Sequence, residues 1–231
     1  MTRPAPAPLP PAATREFFDQ LTPDEASALE QAGRRRDYRR GSVLMREADR
    51  SGWVLVLRTG RVKVSVDTAG GTEVVLAVRG PGALLGELSA LDREPRSATV
   101  TALEPVSALL VPVADFEAFL QAHGRVAYLL VRTVIGRLRD ADRKRIEFGA
   151  HDTIGRVAAR LVEMAERFGQ PTTDGLKIAL PFSQDELAGW IGASREAVSK
   201  ALGVLRAAGT IRTSRMSVVV RNLPDLRRRA Q

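Results

Sequence analysis

Between Ser42 and Val111 the chain breaks into six short apolar runs, SVLMRE, WVLVLRTG, RVKVSVD, EVVLAVRG, ATVTALE and VSALLVP. Turn signals separate them at Asp49 to Gly52, Thr59-Gly60, Gly70-Gly71 and Gly80-Pro81-Gly82. Several strands that short within about seventy residues must pair as an antiparallel sandwich or barrel. Alternation is clearest from Arg61 to Asp67, where Val62, Val64 and Val66 form an apolar face and Arg61, Lys63, Ser65 and Asp67 a wet one.

Before the last two strands lies GALLGELSALDREPRSATV, Gly82 to Val100. Leu84-Leu85 reads as a short strand, and Gly86-Glu87-Leu88 as a turn opening a helix, whose free N–H groups favour an anion. Arg96 offers a planar fork of donors for phosphate oxygens, with the Ser97 hydroxyl beside it. Glu87, acceptor-only when ionised, suits a hydroxyl of the same ligand, such as a ribose 2'-OH. Phosphate plus sugar hydroxyl describes a nucleotide. The spacing alone equally fits a solvated Glu87–Arg96 pair with glycines turning corners. The segment resembles the phosphate-binding cassette of cyclic-nucleotide-binding domains, and GELS followed by PRSATVTA is similar to the bacterial Crp/Fnr regulators. That resemblance implies a β-roll, Glu87 as ribose ligand, Arg96 and Ser97 as phosphate ligands, and Gly86 and Leu88 as backbone contributors.

The 231 residues allow one large or two modest domains, and 44% hydrophobic residues suffice for real cores. No run approaches the roughly 18 apolar residues of a membrane span, and no basic-then-apolar leader opens the chain, so a cytoplasmic protein without membrane contact is expected. The absence of cysteine excludes disulfides, zinc fingers and cysteine-held iron–sulfur clusters. The two histidines, His123 and His151, have no acid or metal cluster around them in sequence, so no metal, haem or catalytic role is expected. A net charge of +8 favours polyanionic partners. The excess leans towards residues 151–231, thirteen basic against eight acidic side chains. Residues 1–13, MTRPAPAPLPPAA, read as an extended or disordered tail. Thr14 and Thr22-Pro23-Asp24-Glu25 read as helix starts and Gly33 as a stop. The arginines at 34–36, 39 and 40 read as the solvated edge of the first strand.

After a short helix opened by Pro112, Arg125 to Phe148 runs without proline. Ala127, Val131, Val134, Leu138, Ala141 and Phe148 recur four and three apart, with Arg145 in the remaining slot, which is a heptad seam suited to a two-stranded coiled coil. The family resemblance implies the same homodimer, with this helix closing the nucleotide pocket from both subunits. In cyclic-AMP receptors a Thr-Ser pair on this helix touches the adenine; here Ala141 and Asp142 stand there, so the base reader is changed.

Asp152 caps a further helix with an apolar face of Val157, Leu161, Met164 and Phe168, and the hinge falls near Gly149 to His151. In LPFSQDELAGWIGASREAVSKALGVLRAAGTI, Ser183 and Glu186 form a capping box, Gly192 permits a tight turn, and Ser194 caps a second helix with Val198, Leu202 and Leu205 inside. That is a helix-turn-helix. Arg195, Glu196, Ser199 and Lys200 occupy the face that would meet base edges in the major groove. SREAVSKAL resembles the Crp recognition helix, which implies Arg195 and Glu196 as base readers and Lys200 in place of a second arginine. GTIRTSRMSVVVR resembles the wing of a winged helix, with Arg212, Arg215 and Arg221 near phosphates, and Ser183 is expected among the DNA-binding residues as well. The terminal arginines 227–229 fit phosphate contact or a solvated tail.

The expected fold is therefore α+β: a tail (1–13), an effector β-roll (14–124), a dimerisation helix (125–149) and a winged helix-turn-helix (150–231). The resemblance implies a dimeric regulator on palindromic double-stranded DNA, controlled by cyclic AMP ahead of cyclic GMP, with RNA polymerase as a further partner. One alternative binds DNA without cyclic nucleotide or answers another ligand. An enzyme is not expected: the sequence holds no paired-carboxylate site, histidine-based nucleophile system or GK[ST] phosphate loop.

Overall fold

The computed structural model describes residues 15–179, 182–214 and 216–231. The expected tail, Thr14 as a cap, and Arg215 lie outside the described residues. After a short 3-10 turn at Phe18–Gln20, helix α1 (Pro23–Gln31) starts as its sequence dictates. The Glu25 N–H donates to Thr22 Oγ1 at 3.3 Å and the Thr22 N–H to Glu25 Oε2 at 2.8 Å, a capping box with proline in the first turn.

Next come β1 (Arg34–Tyr38), β2 (Val43–Met45), β3 (Trp53–Thr59), β4 (Val62–Asp67), β5 (Glu73–Arg79), β6 (Leu84–Leu85), helix α2 (Glu87–Asp92), β7 (Thr99–Ala102) and β8 (Val106–Pro112). They form two antiparallel four-stranded sheets, ordered β1-β8-β3-β6 and β2-β7-β4-β5. Leu44, Leu55, Leu57, Val62, Leu85, Val100 and Leu110 fill the space between them. The other faces of β3 and β8, with Val54, Val56, Leu109 and Val111, pack on Phe17, Leu29, Phe116, Phe119, Val126 and Leu130. Burial on both faces explains why WVLVL and ALLV read as continuous apolar runs. The arginines at 34–36 form part of β1 itself, exposed on a sheet edge.

Helices α3 (Val113–Ala122) and α4 (Gly124–Ala150) follow, and His151 and Asp152 separate α4 from α5 (Thr153–Phe168). Asp152 caps α5, accepting from the Gly155 N–H at 2.8 Å. The remaining elements are β9 (Gln170–Thr172), β10 (Gly175–Ala179), α6 (Gln184–Ile191), α7 (Arg195–Ala207), β11 (Ile211–Ser214), β12 (Ser217–Val220) and α8 (Leu223–Arg229). Their sheet runs β11-β12-β10-β9, so the wing hairpin is half of a larger sheet. β9, β10 and α8 go beyond the elements expected from sequence; β9 is exposed throughout and carries no periodic signal.

The core of this second unit, with Val157, Leu161, Met164, Val198 and Leu205, is continuous with Val75 and Val78 of β5 and with Leu103. This contact overturns the expected wet face of β4 at three of its four positions, Asp67 alone staying exposed. Arg61, Lys63 and Ser65 are only 8%, 7% and 2% exposed, because the carboxy-terminal unit lies over them.

Helix α1 is fastened to α4 by Arg125, whose Nε donates to Glu25 Oε1 at 2.9 Å. The Arg125 guanidinium holds the Glu25 carboxyl at about 2, below its ordinary 4.5. A depressed folded value stabilises above the unfolded one and loses its contribution as pH falls through the folded one. Glu25→Gln should therefore lower the melting temperature at neutral pH, and the gap to the parent should close as pH falls from 4.5 towards 2. A gap independent of pH would show that the ion pair is not what the substitution removes.

Candidate functional site

β6 ends at Leu85, and Gly86, at φ +80°, turns the chain into α2. A side chain at Gly86 would collide with Arg96 Nη1, so glycine is required both by the left-handed backbone and by the guanidinium beside it. Arg96 is 3% exposed. Its Nη1 donates to the Gly86 carbonyl at 2.7 Å, its Nε to Ser51 Oγ at 2.8 Å and its Nη2 to the Ser51 carbonyl at 3.0 Å, with a further bond from Nη2 to the Trp53 carbonyl. The Trp53 ring lies 5.2 Å away. Four of the five guanidinium hydrogens are thus engaged by the chain itself. Burial pulls the guanidinium below its usual value against the attraction of Glu87 and Asp49. Ser97 is exposed, as is Leu88 at 41%.

Glu87 is 3% exposed, and its partner is Arg137 of α4, not Arg96. Arg137 Nη1 donates to Glu87 Oε1, and Nη2 donates to the Leu84 carbonyl at 2.6 Å. The sequence showed Arg137 only as one of several charges around the seam; the usable signal was its place one turn before Ala141 on the same helix face. Ala141 and Asp142 are both exposed.

The expected seam is redrawn. Val134 is half-buried against the β-roll core, because that side of α4 covers the sheet. Ala127 is half-buried. Phe148 reaches Gly192 in the turn between α6 and α7 and lies 5.4 Å from the Arg156 guanidinium, so it bridges to the carboxy-terminal unit. The outward apolar stripe is Tyr128, Val131, Ile135 and Leu138, between 44% and 63% exposed. Of the residues expected on the seam, Val131, Leu138 and Ala141 are exposed.

In the second unit the Glu186 N–H donates to Ser183 Oγ at 3.1 Å and the Ser183 N–H to Glu186 Oε2 at 2.7 Å, so α6 has its capping box. Gly192, at φ +64°, makes the turn and Ser194 caps α7 by accepting from the Ala197 N–H at 3.2 Å. Arg195, Glu196, Ser199 and Lys200 are all exposed along one end of α7. Asp185 lies 3.3 Å from Arg195 Nε. The Glu196 carboxyl accepts from its own N–H and from Ser194, which holds it below the usual carboxylate range and leaves it an acceptor at neutral pH. Arg212 on β11 pairs with Asp174 at 2.8 Å. The terminal arginines lie on α8, still exposed at 227 and 228, where Arg227 pairs with Glu166 at 2.8 Å, and Arg228 and Arg229 with Asp225, at 2.9 and 2.8 Å.

Among the described residues no group of acidic, histidine or cysteine side chains could hold a metal ion, and no helix is long and apolar enough to cross a membrane.

Comparison with known proteins matches both halves of this geometry. Residues 35–123 match the cyclic nucleotide-binding domain, and residues 155–229 the Crp-like helix-turn-helix domain. The cyclic AMP receptor protein of Thermus thermophilus is 31% identical over 205 residues, covering 89% of this chain and 92% of that protein. The CRP-like cAMP-activated global transcriptional regulator of Mycobacterium tuberculosis H37Rv is 29% identical over 215 residues, 93% of this chain and 96% of that one. Among solved structures, FixK2 from Bradyrhizobium japonicum superposes with a TM-score of 0.76 at 25% identity, covering 86% of this chain and 98% of that one. With both domains matched in order along the chain and a relative 31% identical over 89% of it, the chain belongs to the Crp/Fnr family of transcription regulators.

Proposed function

We propose that this regulator is a homodimer that binds a palindromic duplex through α7 and is controlled by a cyclic nucleotide, cyclic AMP ahead of cyclic GMP, bound at Glu87, Arg96 and Ser97. The observation that carries the reading is the fastening of the cassette to the long helix: Arg137 of α4 holds both Glu87 and the Leu84 carbonyl. A ligand that engages Glu87 therefore acts on the same side chain that α4 holds.

The chemistry of each group fits. A phosphate would draw Arg96 from the neutral carbonyls of Ser51 and Trp53, since it sets a full negative charge against the guanidinium in a geometry that the planar fork can grip bidentately. Ser97, exposed beside it, adds a hydroxyl, and the second oxygen of Glu87 can accept from a sugar hydroxyl. Cyclic AMP is favoured because the Thermus and Mycobacterium relatives carry it in their names. Tyr128, Val131, Ile135 and Leu138, spaced three, four and three apart, form a narrow apolar stripe that a second copy of α4 would cover. Two α7 helices would then lie about 34 Å apart, one turn of DNA. RNA polymerase is the machinery on which such a dimer acts. A second reading, DNA binding without nucleotide, is favoured by two observations: Arg96 is already satisfied by the chain, and Ala141 and Asp142 offer no hydroxyl to a base.

Calorimetric titration of cyclic AMP and cyclic GMP separates the two. Ser97→Ala is the control of choice, since it removes a ligand contact from an exposed position. Arg96→Ala would also strip four internal bonds and should lower the melting temperature without ligand. Heat with the parent that weakens in Ser97→Ala supports nucleotide control; no heat with either nucleotide establishes the second reading.

Leu138→Glu should turn the dimer into a monomer by light scattering at micromolar concentration, because two buried carboxylates would face each other across the stripe. A dimer that survives would place the interface elsewhere.

Arg195→Ala should weaken binding to a selected duplex by about 1–3 kcal/mol and relax a single base position. A uniform loss across all sequences would make Arg195 a phosphate contact.

A further inference from the structure

Three of the four polar side chains that β4 and its approach should leave in water, Arg61, Lys63 and Ser65, are buried, and two of them are cations that cross to the carboxy-terminal unit. Arg61 donates from Nε and Nη2 to Glu104, at 2.9 and 2.8 Å, and from Nη1 to the Ala179 carbonyl at 2.9 Å. Lys63 Nζ donates to Glu73 Oε2 at 2.8 Å and to Glu186 Oε1 at 2.5 Å. Glu73, on β5, is braced by the Ser65 hydroxyl at 2.7 Å. Glu186 is the capping carboxylate of α6, with its other oxygen on the Ser183 N–H. One ammonium thus joins the β4–β5 hairpin to the first turn of the helix that precedes the reading helix.

The backbones meet beside it. A methyl group on Gly189 of α6 would stand 2.5 Å from the Glu73 carbonyl oxygen, and beyond its own helix it would meet nothing but that carbonyl within 4 Å. Burial alone would lower the Lys63 ammonium and raise the Glu186 carboxyl; bonds to Glu186 and Glu73 instead hold Lys63 above its usual value, and bonds to Lys63 and Ser183 hold Glu186 below its own.

The geometry points to Lys63 as a positioning residue for DNA binding: by clamping α6 to the β4–β5 hairpin it holds the carboxy-terminal unit where Arg195, Glu196, Ser199 and Lys200 face outwards. This rests on the reading of DNA by α7 proposed above. Without the ammonium, two carboxylates that both lie within 2.8 Å of one nitrogen face each other as like charges and push the units apart. α7 moves with α6, because only Gly192, Ala193 and Ser194 separate them and both helices pack in one core.

The chain has no cysteine, so Ala69→Cys on the hairpin turn and Ala207→Cys at the end of α7, both exposed, accept spin labels as the sole thiols. Labelled chain is diluted into excess unlabelled chain, and the distance distribution is measured for the parent, Lys63→Met, Gly189→Ala and the double variant. Gly189→Ala keeps every charge and meets only the hairpin, so it separates the contact from the charge. The same proteins, without labels, are titrated against a duplex that the parent selects from a random pool. A narrow parent distance that broadens in both single variants is expected, with about a tenfold or greater loss of duplex affinity in each and little further loss in the double variant. Unchanged distances overturn the clamp. Altered distances with unchanged affinity overturn its role in DNA binding. A parent that selects no duplex overturns the DNA reading itself, while the distances still decide the clamp.

Discussion

The rest of the molecule hangs on the burial of one carboxylate. Glu87 is 3% exposed, and an ionised carboxylate taken that far from water needs a cation with good geometry. Arg137 meets that need from the middle of α4 and uses its second arm on the Leu84 carbonyl, so the cassette and the long helix are fastened at two points. The same helix carries the outward apolar stripe and ends at His151, where α5 and the carboxy-terminal unit begin. A sugar hydroxyl offered to the second oxygen of Glu87 would share that carboxylate with Arg137, so the binding of a ligand and the seating of α4 would be physically one question.

What was legible in the sequence is what depends on near neighbours. The two capping boxes, at Thr22/Glu25 and Ser183/Glu186, are three-residue patterns whose bonds close within one turn. The left-handed Gly86 and Gly192 stand where a turn must open or join helices. What stayed hidden needed tertiary knowledge. Helix α4 has apolar residues on two sides, and a heptad count fits Val134 as readily as Ile135; only the β-roll core decides that Val134 turns in and Ile135 out. Period two identified which side of β4 Lys63 occupies but not that another unit would cover it. Arg137 reads as one arginine among many until Leu84 and Glu87 are brought against it.

Charge shows the same limit. The basic excess in residues 151–231 suggested DNA, yet many of those cations are already paired with carboxylates of the chain itself. Arg160 pairs with Glu147 and Glu163, Arg167 with Glu16, Arg227 with Glu166, and Arg228 and Arg229 with Asp225. These pairs tie α5 to α4, to the amino-terminal segment and to α8, and a paired arginine displaces few counterions from DNA. Net charge therefore overstates the electrostatic footprint. On the proposed reading face, Lys200 has no ion pair among the described residues, and lysine delivers a point charge where arginine would deliver a fork. On that proposal, sequence discrimination by α7 would fall on Arg195 and Glu196. Each has chemistry for one base edge, guanine for the guanidinium and cytosine for the carboxylate, and together they suit one G·C pair and its neighbour. The rest of the affinity would come from the shape of the unit and from backbone contacts that carry no sequence information.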